Sequence, residues 1–294
     1  MATPRFSMLL TRLLLVATLG LATPAVVPAV AQTTDATTPA TASIVALGQA
    51  LQLDALFAVL REEGIAYGQT LEDEMFPGGG GPQWASAVAK IYDAAALQTQ
   101  FEAALQTELG DDPETLSTIL AFFTSDLGKR VVGLEIEARR AFLDTATEEA
   151  ARVAADNRFG ARDPIVPLLR RFIEAGDLIE MNVAGSLSGN LAFMTGMTES
   201  GVYGDAMPQD QLMSDVWAQE DQIRDDTSAW LYAYLGLAYA PLAESDLQAY
   251  IEFMETPAGQ RLNAALFTAF SEVFTGVSRD LGHAAGVAML GTDI

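Results

Sequence analysis

Apolar residues recur at intervals of three and four along most of this chain, and that spacing constrains the fold more than any other feature. Leu53, Leu56, Phe57 and Leu60 are one example, because their side chains lie on one face of a helix. The residues between such positions are mainly Ala, Glu, Gln and Arg, which favour helices. We find no sustained alternation of apolar and polar residues, so the sequence predicts an all-α fold.

The N-terminus has the three parts of a secretory signal peptide. Arg5 and Arg12 precede the apolar run Leu13–Ala22, and the small-residue site Ala29-Val30-Ala31 follows. The apolar run is about ten residues long, well below the ~20 that a membrane-spanning helix needs. We therefore predict a signal peptide over residues 1–31, a periplasmic location and no transmembrane segment after cleavage. Residues 32–43, rich in Thr, Ala and Pro, are predicted to form a flexible linker.

The charge and the cysteine content exclude several classes of function. The chain has 39 acidic and 16 basic residues, a formal charge of -23, and removal of the two arginines with the signal peptide makes it -25. Such a charge repels nucleic acid, so we expect no nucleic-acid partner. The absence of cysteine excludes disulfides and thiolate metal sites. The acidity itself has two explanations that stay open, a functional surface or the proteome of a salt-adapted organism.

Several local signals set helix boundaries. Gly64 is predicted to end the first helix, and the glycine-rich stretch Phe76–Pro82 to form a flexible connector. Asp112-Pro113 has the residues of a helix start, an Asp cap followed by Pro in the first turn. The same signal ends the stretch Asn157–Pro164, which is therefore the predicted boundary between two halves of the chain.

Two segments of the chain resemble each other at an offset of 131 residues. Segment Leu116–Asp144 aligns with Leu247–Thr275, with apolar residues facing apolar residues at helical spacing. The identical pairs are Leu116/Leu247, Phe122/Phe253, Gly128/Gly259, Arg130/Arg261 and Ala138/Ala269. We predict two tandem helical units, residues 44–156 and 163–287, each with a helix-corner-helix hairpin, followed by a tail over residues 288–294. A chance match between amphipathic helices is the alternative.

Each predicted corner has residues that suit a helix start. The corner residues are Ser125, Gly128 and Arg130 in the first unit and Thr256, Pro257, Gly259 and Arg261 in the second. In the second unit the Thr256 hydroxyl caps the new helix and Pro257 fits its first position, and in the first unit Ser125 or Asp126 provides the cap. Glycine in a helix costs about 0.5–1 kcal/mol relative to alanine, so we expect Gly259 to be required by close contact with the helix that carries Phe253.

The second unit also resembles a known family. Its residues 244–275 contain Glu244-Ser245-Asp246-Leu247, then Tyr250-Ile251-Glu252-Phe253, then Glu255-Thr256-Pro257-Ala258-Gly259-Gln260. This pattern resembles the bacterial "domain of unknown function 2059" family, more clearly in the second unit than in the first. The chain departs from it at Met254, Thr256 and Asp126. The resemblance implies an exported, all-helical domain and no established activity.

The chain lacks the usual signatures of catalysis. His283 is the only histidine and no Gly-x-Ser-x-Gly motif is present, so we predict no catalytic triad, no zinc site and no cofactor. Pairs of neighbouring acids could serve as the acid and base of glycoside cleavage, but in so acidic a chain they are more typical of solvated helix faces. These acids are Glu135/Glu137, Glu148/Glu149, Glu220/Asp221 and Asp225/Asp226.

Aromatic residues in the second half have two interpretations. They form either a groove for an apolar ligand or partner helix, or ordinary core packing. The residues are Trp217, Trp230, Tyr234, Phe253, Phe267 and Phe270. The overall hypothesis is a non-catalytic exported protein that binds an unknown protein or apolar ligand of the cell envelope. The alternative is a carboxylate-based hydrolase.

Processing is the first testable prediction. Because the small-residue site ends at Ala31, we expect the protein recovered from the exported fraction to begin at Gln32. Intact-mass spectrometry checks this directly. A mass that retains Met1 would contradict the signal-peptide assignment.

Overall fold

The computed structural model describes residues 39–204 and 209–291, and it confirms the all-α prediction, with no strand in those ranges. The predicted signal peptide and the linker up to residue 38 lie outside the described residues, as do residues 292–294 of the tail. The helices are α1 Pro39–Ala50, α2 Leu53–Met75, α3 Gly81–Ile91, α4 Ala94–Leu109, α5 Pro113–Phe123, α6 Asp126–Ala141, α7 Thr145–Ala161, α8 Ile165–Ala175, α9 Leu178–Glu199, α10 Gln209–Trp217, α11 Glu220–Ala238, α12 Glu244–Met254 and α13 Pro257–Met289.

Short polar side chains begin many of these helices. The carboxylate of Asp112 accepts a hydrogen bond from the Thr115 amide at 3.0 Å, with Pro113 in the first turn. Asp144 accepts in the same way from the Thr147 amide at 3.0 Å. Each cap satisfies an amide that has no partner within its own helix. The start predicted at Asp112-Pro113 is therefore confirmed.

Three predicted boundaries were wrong. Helix α1 begins at Pro39, inside the expected linker. Gly64 does not end α2, because it is buried within that helix, and a Cβ there would lie 2.2 Å from the Tyr92 ring. Helix α7 runs through most of the predicted boundary and ends at Ala161, so only Arg162–Pro164 connects it to α8.

The glycine-rich stretch forms a capped turn between α2 and α3. One carboxylate oxygen of Glu72 accepts hydrogen bonds from the amides of Gly80 and Gly81, at 3.2 and 3.1 Å. Two of its glycines, Gly78 and Gly81, have positive φ, which other residues rarely adopt. The amides that would otherwise attract an anion are thus occupied by the protein's own carboxylate.

One hydrophobic core runs through the described chain. Its buried members extend from Ile44 in α1 to Ala288 in α13 without division between the two predicted units. Helix α13 packs against α3, α4 and α5 from the first half and against α9 and α12 from the second. Residues 44–156 and 163–287 therefore share a core and do not fold into separate ones.

Helices α9 and α13 pack with their backbones in direct contact. A Cβ on Gly196 would lie 2.0 Å from the carbonyl oxygen of Arg279, and one on Gly282 would lie 2.0 Å from that of Phe193. Near the start of α13, the Asn263 side chain donates to the Gly176 carbonyl at 2.7 Å. Residues further along α9 contact residues further along α13, so the two helices run parallel.

Both predicted corners have the same local structure. Helices α5 and α6 meet at Thr124-Ser125, and α12 and α13 meet at Glu255-Thr256. The Ser125 hydroxyl accepts from the Gly128 amide at 3.0 Å, and the Thr256 hydroxyl from the Gly259 amide at 3.1 Å. The caps and glycines are again 131 positions apart.

The two corner glycines lie against backbone of the preceding helix. A Cβ on Gly128 would lie 2.2 Å from the Phe122 carbonyl oxygen, and one on Gly259 would lie 2.1 Å from the Phe253 carbonyl oxygen. Neither oxygen can move without shifting its helix. The expected close approach at Gly259 is therefore present, and Gly128 shares it.

In the described ranges, one bent pair of helices has the length and composition of a membrane-spanning segment. No helix of the described ranges is by itself long and apolar enough to cross a bilayer. Residues Ser43–Ala50 and Leu53–Met75 together pass the same test of length and composition, with a 59° bend between them.

The corner contact predicts the effect of a substitution. We expect Gly259→Leu to destabilise the fold by roughly 1–3 kcal/mol, because the side chain would overpack against the Phe253 carbonyl. Gly133→Leu in α6 is the control, since a Cβ at Gly133 meets no atom within 4 Å and leucine has a higher helix propensity than glycine. Thermal unfolding compares the two. An unchanged or raised midpoint for Gly259→Leu would contradict the packing argument.

Candidate functional site

The corner arginines connect the two halves of the chain. Arg130 donates to Asp246, at the start of α12, at 3.0 Å and to the carbonyl of Pro241, just before α12, at 2.9 Å. Arg261 donates to the carboxylate of Glu108 at 3.1 Å and to the carbonyl of the same residue, near the end of α4. Each arginine thus reaches the other half of the chain, Arg130 at the start of α12 and Arg261 at the end of α4. Both arginines are exposed, so these contacts join the two halves at the protein surface.

The aromatic residues expected to line a groove are mostly core residues. Trp230, Tyr234, Phe253, Phe267 and Phe270 are 6 % exposed or less. The Phe142 ring packs edge-on against both Trp230 and Tyr234, which stack on each other at 4.7 Å. Their burial removes a large apolar area from water. The proposed aromatic groove is therefore wrong, and core packing is the correct interpretation for these five.

Trp217 is the exception among those aromatic residues. It ends α10 and is 57 % exposed, next to the exposed Met213 one turn earlier. The opposite face of α10 buries Leu212 and Val216. Trp217 therefore lies on the surface, apart from the five buried aromatic residues.

A buried carboxyl group lies at the centre of the core, where sequence reasoning predicted a solvated acid. Glu135 in α6 is 3 % exposed, and its Oε1 accepts hydrogen bonds from Tyr239 at 2.7 Å and Tyr250 at 2.6 Å. The Tyr234 hydroxyl donates to the Glu135 backbone carbonyl at 2.7 Å. These bonds tie α6 to α11, to the turn after it and to α12.

Burial controls the charge of this group. Loss of hydration raises the pKa of Glu135 from 4.5 to about 8, while the hydrogen bonds from Tyr250 and Tyr239 lower it in part. Burial also holds the pKa of Tyr239 well above its usual value of 10.0, so the phenol stays neutral. Near neutral pH the folded protein therefore holds Glu135 mainly in its protonated, uncharged form.

The spacing of α6 contained a signal for this residue. Glu135 falls four residues after Val131 and three before Ala138, both buried, so it occupies a core position of the helix. Its neighbour Glu137 is exposed, as a solvated acid would be. Glu148 is likewise buried, with Arg152 donating to it at 2.9 Å. The solvated-face interpretation was therefore wrong for Glu135 and Glu148.

A second buried ionisable residue lies in the same helix. Arg139, 1 % exposed, donates from Nε and Nη2 to the two carboxylate oxygens of Glu63, each at 2.8 Å. This bidentate pair joins α6 to α2. Neither Glu135 nor Arg139 lines the surface groove described next, so these two side chains act within the core.

A surface groove of about 370 Å³ lies where α3 and α4 meet the second half of α13. Its apolar lining includes Leu97 from α4 and Val273 and Val277 from α13, all buried. Gly276 also lines it, and a Cβ there would meet no atom within 4 Å. The polar lining residues are Lys90, Gln100, Asp280 and His283. The volume is in the range of small-molecule sites.

The turn between α3 and α4 forms one wall of this groove and is firmly anchored. Arg61 donates to the carbonyls of Ala89 and Tyr92, at 2.7 and 2.8 Å, and so caps the end of α3. Asp93 caps the start of α4 by accepting from the Ala96 amide at 2.9 Å. The groove wall is therefore preorganised by hydrogen bonds.

The described residues contain little that could hold a metal ion. Among the residues that the structure describes, no group of three His, Asp or Glu side chains is arranged to hold a metal ion. His283 is exposed on α13 and lines the groove.

The fold and site define an all-helical protein with a closed polar cluster in its core and one anchored surface groove. Residues 95–156 match the family described as "Uncharacterized protein conserved in bacteria (DUF2059)". The resemblance predicted from the sequence is confirmed, but the match covers α4 to α7 in the first half, not residues 244–275 in the second, where we expected it to be clearer. Comparisons with curated proteins and with solved structures found no match.

The raised pKa of Glu135 predicts a pH-dependent stability. The folded protein keeps a proton that the unfolded chain releases, so folding becomes less favourable as pH rises from about 4.5 to about 8. We expect the free energy of unfolding, relative to Glu135→Gln, to fall by on the order of 5 kcal/mol across this window. Denaturant unfolding at several pH values measures it, with exposed Glu137→Gln as control. A difference that is flat with pH would contradict the buried-proton assignment.

Proposed function

We propose that the protein is a non-catalytic, exported binding protein that takes an apolar ligand or partner of the cell envelope into the groove between α3, α4 and α13. The signal-peptide pattern of residues 1–31 supports export to the periplasm. The observation that carries the binding role is the groove itself, with an apolar floor of Leu97, Val273 and Val277 and a polar rim. Apolar floors with few polar groups are typical of ligand sites.

The glycine in the groove supports this role. Gly276 lies inside α13, where glycine costs about 0.5–1 kcal/mol relative to alanine. Nothing packs against the position where its Cβ would be, so close packing does not require glycine there. Its missing side chain leaves the space over Val273 and Val277 open to a ligand.

A hydrolase that uses a carboxyl group is the rival function, and one observation favours it. The pKa of Glu135, raised by burial, resembles that of a general acid. Its Oε1, however, already accepts from Tyr239 and Tyr250, and all three side chains are 3 % exposed or less. A substrate would have to open the core to reach Glu135. The accessible groove is therefore the better-supported site.

The binding role is tested with a neutral apolar dye. We expect N-phenylnaphthylamine to bind the purified protein with an increase in fluorescence, and Gly276→Leu to abolish the binding by filling the groove. Gly133→Leu is the matched control, because it adds the same side chain at an open helical position that does not line the groove. Absence of dye binding, or equal binding by both variants, would overturn the proposal.

We also propose that the two halves arose from one duplicated unit. The contacts of Arg130 and Arg261 support this, since each corner arginine binds the other half of the chain, Arg130 at the start of α12 and Arg261 at the end of α4. The equivalent residues Phe122 and Phe253 stack on each other at 5.4 Å with 15° between their rings. Two copies of a unit related by a local two-fold axis would make contacts of this kind.

A further inference from the structure

The groove is lined by a lysine, Lys90. Lys90 lies at the end of α3, exposed, and its side chain forms no hydrogen bond or ion pair with any residue that the structure describes. Several arginines, by contrast, are paired with acids, for example Arg171 with Glu255 at 2.6 Å and Arg279 with Glu199. The ammonium group of Lys90 is thus available to a ligand.

The position of Lys90 is fixed by the anchored turn that follows it. Arg61 binds the carbonyls of Ala89 and Tyr92, on either side of Lys90 and Ile91 in the sequence. Ile91 contributes to the apolar lining, so the ammonium group and an apolar surface come from consecutive residues of one rigid segment. The acid of the groove, Asp280, lies beyond ion-pair distance of Lys90 and interacts with its neighbour Arg279.

We propose that the groove binds a small amphiphilic anion, an apolar body with one carboxylate or sulfonate group that pairs with Lys90. This rests on the proposed function, in which the groove is the binding site, and it adds the chemical class of the ligand. The apolar body would cover Leu97, Val273 and Val277, and the anionic group would be bound at the rim. Charge complementarity favours an anion, because no acid of the described chain, Asp280 included, lies within ion-pair distance of Lys90.

The charge of the whole chain favours a free small molecule over a membrane surface. A formal charge of -23 repels the anionic face of a bilayer, where many like charges act together. A single small anion near Lys90 is affected mainly by charges within the screening length of about 8 Å at physiological salt. A volume of about 370 Å³ also suits a small ligand.

Two dyes with one apolar body test the inference. N-phenylnaphthylamine is neutral, and anilinonaphthalenesulfonate has the same ring system with a sulfonate. We expect Lys90→Gln to weaken binding of the sulfonate about fivefold and to leave the neutral dye unchanged. Lys129→Gln is the matched control, because Lys129 is the other lysine of the chain, exposed on α6 and outside the groove. Both variants change the net charge equally.

The outcomes separate the two proposals. If the neutral dye binds and Gly276→Leu blocks it, but Lys90→Gln and Lys129→Gln bind the sulfonate equally, the groove is a binding site and the anionic ligand class is wrong. If neither dye binds, the groove proposal itself fails and the inference with it. Co-sedimentation with phosphatidylglycerol vesicles that depends on Lys90 would assign the site to a lipid surface and overturn the free-ligand assignment.

Discussion

The backbone contact between α9 and α13 is the constraint on which the rest of the structure depends. At Gly196 and Gly282 the two helices touch without intervening side chains, so α13 is held at a single distance and register. Helix α13 is 33 residues long, far beyond the typical helix, and its other faces pack against α3, α4 and α5. A helix fixed on one side by backbone contact thus joins both halves into one core and supplies the groove floor.

The buried polar cluster of α6 adds specificity to this packing. Glu135 joins α6 to Tyr239 and Tyr250, and the Arg139–Glu63 pair joins α6 to α2. The pKa shift to about 8 means that Glu135 is buried largely without charge, which avoids most of the cost of burying an ion. A neutral carboxyl group satisfied by two phenols can stay inside an apolar core, and its directional bonds favour one arrangement of the helices around it.

The groove combines segments that are distant in the sequence. Lys90 and Leu97 flank the turn between α3 and α4, whereas Val277 lies in α13, 180 positions further along the chain than Leu97. The part of the chain that matches the bacterial family includes the α4 wall but not α13. The groove therefore needs segments outside the matched part of the chain, which supplies only the α4 side of it.

The sequence by itself determined the all-helical class, several helix starts and the two corners. Asp112, Ser125 and Thr256 cap helices through amides three residues away, and Gly259 meets the carbonyl of Phe253 six residues before it, so neighbouring residues suffice. Only the tertiary structure decided that Glu135 is buried, because its partner Tyr250 comes from 115 residues further along the chain. For the same reason five aromatic residues became core and Trp217 did not: periodicity shows that a helix has an apolar face, but burial depends on which helices pack against it.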